Sequence, residues 1–121
     1  MKKRKRICRE DPFAKLRFAF PDNPAYQASK GGLKQLTKSL ALDLAKFGIR
    51  VNNVGPGYFH TAMTKKSWDN IKRRKIITSN TILQRWGEPK DLEGIIIFLS
   101  SDASSYMTGT NLIIDGGWTA W

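Results

Sequence analysis

The chain has 121 residues, 40% of them hydrophobic, a length that suits one ordinary domain. Its single cysteine, Cys8, excludes a disulfide framework, and its single histidine, His60, argues against an all-protein zinc site. No apolar run approaches the ~20 residues of a membrane span, and no apolar segment follows the basic N-terminus as in a secretory signal. We therefore expect a cytoplasmic protein without a membrane partner or a metal site.

The net charge of +11 comes from two segments. Residues 1–17 hold eight Lys/Arg against Glu10 and Asp11, and residues 65–75 hold six against Asp69. Such clusters can bind phosphate backbones, but no aromatic interleaving or Cys/His spacing of a nucleic-acid motif accompanies them. We expect no specific nucleic-acid partner, and a basic nucleic-acid binder stays as a minor alternative.

The N-terminal residues differ in composition from the rest of the chain. Residues 1–19 are interpreted as a basic tail or edge strand, with a short strand near Ala14–Phe20, and residues 20–121 as the folded domain. The sequence Pro21-Asp22-Asn23-Pro24 is a turn signal that leads into the first helix.

A helix is predicted from about Ala25 to Phe47, because apolar residues recur there every three or four positions. Gly48 follows as a C′ residue that tolerates the left-handed conformation. Gly31 and Gly32 cost the helix about 1 kcal/mol each relative to alanine. They indicate either tolerance of a weaker helix or the close approach of another backbone or a ligand. The apolar stripe consists of Leu33, Leu36, Leu40, Leu44 and Phe47.

Tyr26 and Lys30 stand four residues apart at the start of this helix, which places both side chains on one face. Tyrosine ordinarily titrates near pH ~10, and a neighbouring cation favours the phenolate and lowers that pKa. A phenol beside an ammonium can therefore serve as a general acid/base near neutral pH. The alternative is an aromatic helix residue beside a solvated lysine.

A short strand is predicted at Ile49–Val54, and Gly55-Pro56-Gly57 is expected to break it. The segment from Tyr58 to about Asn80 is polar, basic and interrupted by short apolar groups. We interpret it as a loop that acts as a mobile flap.

A second helix begins near Gly87–Asp91, where proline stands early and acids occupy the first turn, and it continues to Leu99. Asn111–Ile114 is predicted as a final strand, closed by Asp115-Gly116-Gly117. The order helix, strand, loop, helix, strand predicts an α/β fold with a parallel sheet. In such sheets ligands bind beyond the carboxyl ends of the strands.

From about Phe20 to Trp118 the chain resembles the short-chain dehydrogenases/reductases in an ordered set of motifs. Tyr26 and Lys30 match the Tyr-x-x-x-Lys motif, and Thr61 falls where the family often contacts the nicotinamide amide. The other matching motifs are Arg50-Val51-Asn52-Asn53-Val54-Gly55-Pro56-Gly57, Arg85-Trp86-Gly87-Glu88-Pro89, Phe98-Leu99-Ser100-Ser101-Asp102, Thr108-Gly109 and Asp115-Gly116-Gly117.

The resemblance implies hydride transfer between NAD or NADP and an alcohol/carbonyl substrate. It implies that Tyr26 is the catalytic acid/base, and that Lys30 lowers the pKa of the tyrosine and binds the nicotinamide ribose. The segment after Thr61 would form the substrate lid. Family members commonly form dimers or tetramers, so a homo-oligomer is expected. The implied cofactor-binding residues are Tyr26, Lys30, Gly55, Pro56, Gly57, Phe59 and Thr61.

The sequence departs from the family pattern upstream of Tyr26. The first glycine is Gly31, so no glycine-rich phosphate loop precedes the motif, and residues 1–28 contain no serine or threonine. Phe13 lies near the position expected for the catalytic serine. The fold is therefore interpreted as the C-terminal portion of a Rossmann-like, doubly wound parallel sheet whose N-terminal nucleotide-binding half is absent. The alternative function is a truncated, catalytically inactive fragment.

Overall fold

The structure is a computed structural model, and it describes residues 23–120. The predicted basic tail over residues 1–19 and the strand near Ala14–Phe20 lie outside these residues.

Helix α1 runs from Pro24 to Leu44, close to the predicted bounds, and a 3-10 turn continues it over Ala45–Phe47. Asn23 caps its start, because its side-chain oxygen accepts a hydrogen bond from the Tyr26 N–H at 3.2 Å. Gly48 ends it in the left-handed region with a φ of 72°, and its N–H donates to the Ala45 carbonyl. The predicted helix and its glycine stop are confirmed.

Among residues 23–120, two parallel strands form the sheet. Strand β1 is Asn53–Pro56, strand β2 is Asn111–Ile114, and Asn53 pairs with Asn111. The prediction of β2 is confirmed, whereas the predicted bounds of the first strand, Ile49–Val54, were wrong. The ladder extends through Gly55 and Pro56, since a proline at the end of a strand removes only one donor.

The segment interpreted as a loop contains two helices, so that interpretation was wrong. After a 3-10 turn at Ala62–Thr64, helix α2 covers Lys65–Asp69 and helix α3 covers Ile71–Asn80. Asn70 caps α3 by accepting from the Arg73 N–H at 2.9 Å. Ile77, which is fully buried, fixes α3 to its neighbours.

A 3-10 turn at Pro89–Leu92 leads into helix α4, Glu93–Ser100, which agrees with the predicted second helix. The start of this turn has a capping box, in which the Asp91 carboxylate accepts from the Glu88 N–H at 2.8 Å. A further 3-10 turn, Asp102–Ser104, follows α4 and precedes β2.

Few of the described side chains are buried. The predicted apolar stripe of α1 faces outward, with Leu36 50% exposed and Phe47 66% exposed. The reason is the width of the sheet, because two strands leave most of a 21-residue helix uncovered. The buried hydrophobic residues are Ala41, Phe59, Ile77 and Trp86.

Of the helices formed by residues 23–120, none combines the length and the apolar character needed to cross a membrane.

Candidate active site

Tyr26 and Lys30 lie in the first turns of α1, as their spacing predicts. The Lys30 ammonium lies 5.5 Å from the centroid of the Tyr26 ring, within the range of a cation–π contact. Tyr26 is 45% exposed and Lys30 is exposed as well, so both side chains are accessible. The structure therefore brings together the two residues proposed for proton transfer.

The surface next to this pair is open. A Cβ built on Gly31 or Gly32 would meet no described heavy atom within 4 Å. Ser29 donates its hydroxyl hydrogen to the Tyr26 carbonyl at 2.7 Å, which is a contact within the helix. Two explanations were open for the paired glycines. The structure shows no other backbone of residues 23–120 close to either of them.

The glycines at the carboxyl end of β1 have a structural role of their own. A Cβ on Gly55 would lie 2.9 Å from Ile113 Cδ1, and a Cβ on Gly57 would lie 2.5 Å from Asp115 Cβ. The Gly57 N–H also donates to the Ile114 carbonyl at 2.9 Å. Close packing against β2 therefore accounts for glycine at both positions within the chain itself.

Phe59 is 7% exposed, and its ring fills the space beside Gly87, where a Cβ would lie 2.7 Å from the ring. Tyr58 and His60 exchange backbone hydrogen bonds with Gly87, which makes a parallel bridge between Phe59 and Gly87. In an extended segment the backbone groups alternate in direction, so the N–H of Phe59 points away from Gly87.

Thr61 begins the turn Ala62–Thr64 through a capping box. The Thr61 N–H donates to the Thr64 hydroxyl oxygen at 3.0 Å, and the Thr61 side chain accepts from the Thr64 N–H. The Thr64 N–H also donates to the Thr61 carbonyl at 3.1 Å. The Thr64 hydroxyl also donates to the Phe59 carbonyl. These bonds hold the backbone from Phe59 to Thr64 in one conformation.

A small cavity of about 200 Å³ lies beyond the carboxyl ends of both strands. On its wall Arg85 donates to both carboxylate oxygens of Asp91, at 2.7 and 2.9 Å. This pairing, together with the bond from the Glu88 N–H, holds the pKa of Asp91 well below its usual range. The lining residues are Tyr58, Phe59, Leu83, Arg85, Gly87, Asp91, Ile114, Asp115 and Gly116.

The chain matches the family model described as enoyl-(acyl carrier protein) reductase over residues 13–119. That match covers most of the chain. The chain belongs to the short-chain dehydrogenase/reductase family.

Several relatives within this family are named as dehydrogenases. A 2-dehydro-3-deoxy-D-gluconate 5-dehydrogenase from Formosa agariphila is 46% identical over 94 residues, which are 77% of this chain and 36% of the relative. A gluconate 5-dehydrogenase from Burkholderia cenocepacia, solved with NADP and tartrate, matches with a TM-score of 0.82 at 35% identity. That match covers 89% of this chain and 42% of the solved one.

A 4-hydroxyisoleucine dehydrogenase solved with NADH matches with a TM-score of 0.76 at 43% identity, covering 80% of this chain and 40% of the solved one. This short-chain dehydrogenase/reductase chain thus spans about two-fifths of the length of its relatives. The α/β fold of residues 23–120 is the fold of these dehydrogenases over the matched part.

This short-chain dehydrogenase/reductase chain contains an aromatic cluster that its sequence did not predict. His60 stacks on Trp68 with ring centroids 4.1 Å apart, and Trp68 meets Trp86 edge-on at 5.3 Å. Tyr58 packs between Trp86 and Trp118 at 5.5 and 5.0 Å. The available signal was the concentration of aromatic residues on both sides of a basic segment, which was interpreted as a loop.

Proposed function

We propose that this chain provides the proton-transfer part of an NAD(P)-dependent oxidoreductase that interconverts an alcohol and a carbonyl compound. One observation carries the proposal: Tyr26 and Lys30 share a face of α1, with the ammonium 5.5 Å from the ring centroid. Family membership and the relatives solved with NADH or NADP support it.

In the reductive direction Tyr26 donates its phenolic proton to the carbonyl oxygen of the substrate, and in the oxidative direction it accepts the proton of the alcohol. Lys30 holds a positive charge 5.5 Å from the centroid of the Tyr26 ring, and this charge stabilises the negative charge that develops on the phenolic oxygen. The N-cap at Asn23 fixes the first turn of α1 and therefore the relative position of the two side chains.

The residues at the carboxyl end of β1 fit the nicotinamide end of a dinucleotide. When bound, the nicotinamide ring supplies or accepts the hydride. Gly55 and Gly57 carry no side chain, and the Phe59 N–H points away from Gly87 and so is available to an amide oxygen of a ligand. Thr61 holds its hydroxyl at an exposed position on the same rigid turn.

The fold class predicts that these two groups of residues lie at one edge of the sheet. In a parallel α/β unit the helix runs back antiparallel to the strands, so a helix N-terminus lies at the edge where the strands end. Tyr26 is at the N-terminus of α1, and Gly57 follows the carboxyl end of β1. Ligands of open α/β sheets bind at that edge. We therefore assign this chain to the C-terminal portion of a Rossmann-like, doubly wound sheet.

The second candidate function is that of a chain without catalytic activity by itself. The described sheet has two strands, and large apolar side chains of α1 and α4 are exposed, including Leu42 at 79% and Ile97 at 69%. No glycine-rich segment for the pyrophosphate occurs before Gly31. These observations favour a unit that acts together with a nucleotide-binding half.

Binding of NADH and NADPH distinguishes the two candidates. The full 121-residue chain is titrated with each dinucleotide, and the quenching of tryptophan fluorescence is followed. Binding by the chain alone, weakened by Lys30→Ala and unchanged by Lys34→Ala, supports an independent oxidoreductase. Binding only after addition of the N-terminal part of the Formosa relative supports the second candidate. Absence of binding in both arrangements contradicts the proposed function.

A further inference from the structure

We propose that an open groove on α3, distinct in its lining from Tyr26 and Lys30, binds a small organic molecule that carries an oxyanion group. The groove has a volume of about 540 Å³, within the size range of small-molecule sites. Neither residue of the proton-transfer pair lines it. The lining residues are Trp68, Arg74, Lys75, Thr78, Ser79, Gln84, Arg85 and Trp86.

The charge of the lining is one-sided. Three cationic side chains and no acidic side chain line the groove among residues 23–120. The charge of Arg85 is matched by Asp91, which binds both guanidinium nitrogens from outside the groove. The two remaining cations, Arg74 and Lys75, have no carboxylate within ion-pair distance among the described residues. A carboxylate or phosphate group complements this pair.

Arg74 is held in position before any ligand arrives. Its guanidinium carbon lies 5.0 Å from the centroid of the Trp68 ring, and the guanidinium donates to the Trp68 carbonyl at 3.4 Å. Trp68 itself stacks on His60 at 4.1 Å. A cation fixed against a stacked ring loses little side-chain freedom on binding, so more of the interaction energy is available for affinity.

A second, independent feature at the groove is an indole N–H that lacks an acceptor. Trp86 is 5% exposed, and its Nε1 has no hydrogen-bond partner among the described residues. Indole nitrogen can only donate, and buried donors in folded proteins are nearly always paired. The N–H is closed to solvent, so it reports on a ligand bound in the groove that Trp86 lines without itself contacting that ligand.

The backbone of the groove wall is also unusual. Gln84 has a φ of 52°, and no other non-glycine residue among residues 23–120 has a positive φ. Its side-chain amide donates to the carbonyls of Thr81 at 2.9 Å and Ser79 at 3.4 Å, which holds the conformation in place. Such residues cluster at ligand sites, because the surrounding structure must fix them against their local preference.

The test follows the indole N–H resonance of Trp86 by NMR in the full chain, at about 0.15 M ionic strength to screen weak surface attraction. Benzoate and inorganic phosphate are the anionic probes, and benzyl alcohol is the neutral control. We expect at least one anion to shift the resonance saturably and benzyl alcohol to leave it unchanged. Saturation by benzoate alone identifies a carboxylate on an apolar body, and saturation by phosphate identifies the oxyanion as sufficient.

The substitutions Arg74→Gln and Lys75→Gln are expected to weaken binding by about tenfold each, because each removes a charge-assisted hydrogen bond. Lys72→Gln is the matched control, since Lys72 is an exposed cation on the same helix that does not line the groove. Equal weakening by Lys72→Gln would reveal non-specific attraction and overturn the proposal. The proposal is likewise overturned if no anion shifts the Trp86 resonance or if benzyl alcohol shifts it equally.

Discussion

The guanidinium of Arg50 donates to both the carbonyl and the hydroxyl oxygen of Ser104, at 2.8 and 2.9 Å. The same group donates to the Leu99 carbonyl at 2.8 Å, near the C-terminus of α4. Ser104 is 1% exposed, so the positive charge of Arg50 lies against carbonyl groups that are nearly closed to solvent. Arg50 thereby joins the segment before β1 to the segment that leads from α4 toward β2.

We expect Arg50→Ala to loosen this junction, because buried carbonyl acceptors would lose a charged donor worth about 1.5–3 kcal/mol. Hydrogen exchange measures the loss directly. Amide protection at Met107 and Gly109, whose N–H groups bond to Ser104 and Val51, should fall by about tenfold or more. Lys34→Ala on the exposed face of α1 is the control, and equal protection in wild type and Arg50→Ala would be inconsistent with the junction.

Gly57→Ala is expected to destabilise the pairing of β1 and β2 by about 1–3 kcal/mol, as overpacking does. The new methyl would lie 2.5 Å from Asp115 Cβ, and Asp115 cannot shift freely because it accepts bonds from Gly117 and Thr119. Gly94→Ala in α4 meets open space and should stabilise the chain by about 0.5–1 kcal/mol. The midpoints of urea unfolding compare the two variants, and a tolerated Gly57→Ala would contradict the packing.

The sequence predicted elements where local chemistry and tertiary packing agree. Asn111–Ile114 is an apolar run closed by Asp-Gly-Gly, and Gly48 can adopt the left-handed conformation that ends α1. The sequence did not predict α3, because a single buried anchor, Ile77, holds a helix that is otherwise largely charged and polar.

The candidate site was predictable in part for the same reason. Tyr26 and Lys30 meet through helix geometry alone, so their spacing was sufficient to pair them. The reason why position 57 requires glycine could not be predicted from the sequence. A side chain there would clash with Asp115, which is distant in sequence. The stack of His60 on Trp68 likewise depends on how α2 folds back, which no local pattern encodes.

The exposed apolar face of α1 should make the chain associate in solution. Leu36 and Leu40 stand four residues apart on one face and are 50% and 37% exposed, and contiguous apolar surface of this kind drives association. We expect sedimentation velocity to show oligomers that Leu36→Gln shifts toward monomer, while Lys34→Gln leaves them unchanged. A monomer that unfolds in one sharp thermal transition would argue against this expectation.

Acid should weaken the turn that precedes α4. The pKa of Asp91 is lowered in the folded chain by Arg85, so its contribution to stability is present above the ordinary carboxyl pKa of about 3.9 and is lost as the pH falls further. The difference in thermal midpoint between wild type and Asp91→Asn should therefore shrink on acidification. Asp43→Asn, at an exposed position of α1, is the control. A difference that stays constant from neutral to acidic pH would be contrary to this account.

The central claim, that Tyr26 transfers the proton, is tested most directly by the rate of hydride transfer. Residues 20–121 are joined to the N-terminal part of the Formosa dehydrogenase, and reduction of the dinucleotide by that enzyme's alcohol substrate is followed. We predict activity in the chimera, a loss of about 10²–10⁴-fold in Tyr26→Phe, and little change in Tyr106→Phe, which alters a fully exposed tyrosine. A Tyr26→Phe chimera as fast as its parent would contradict the account.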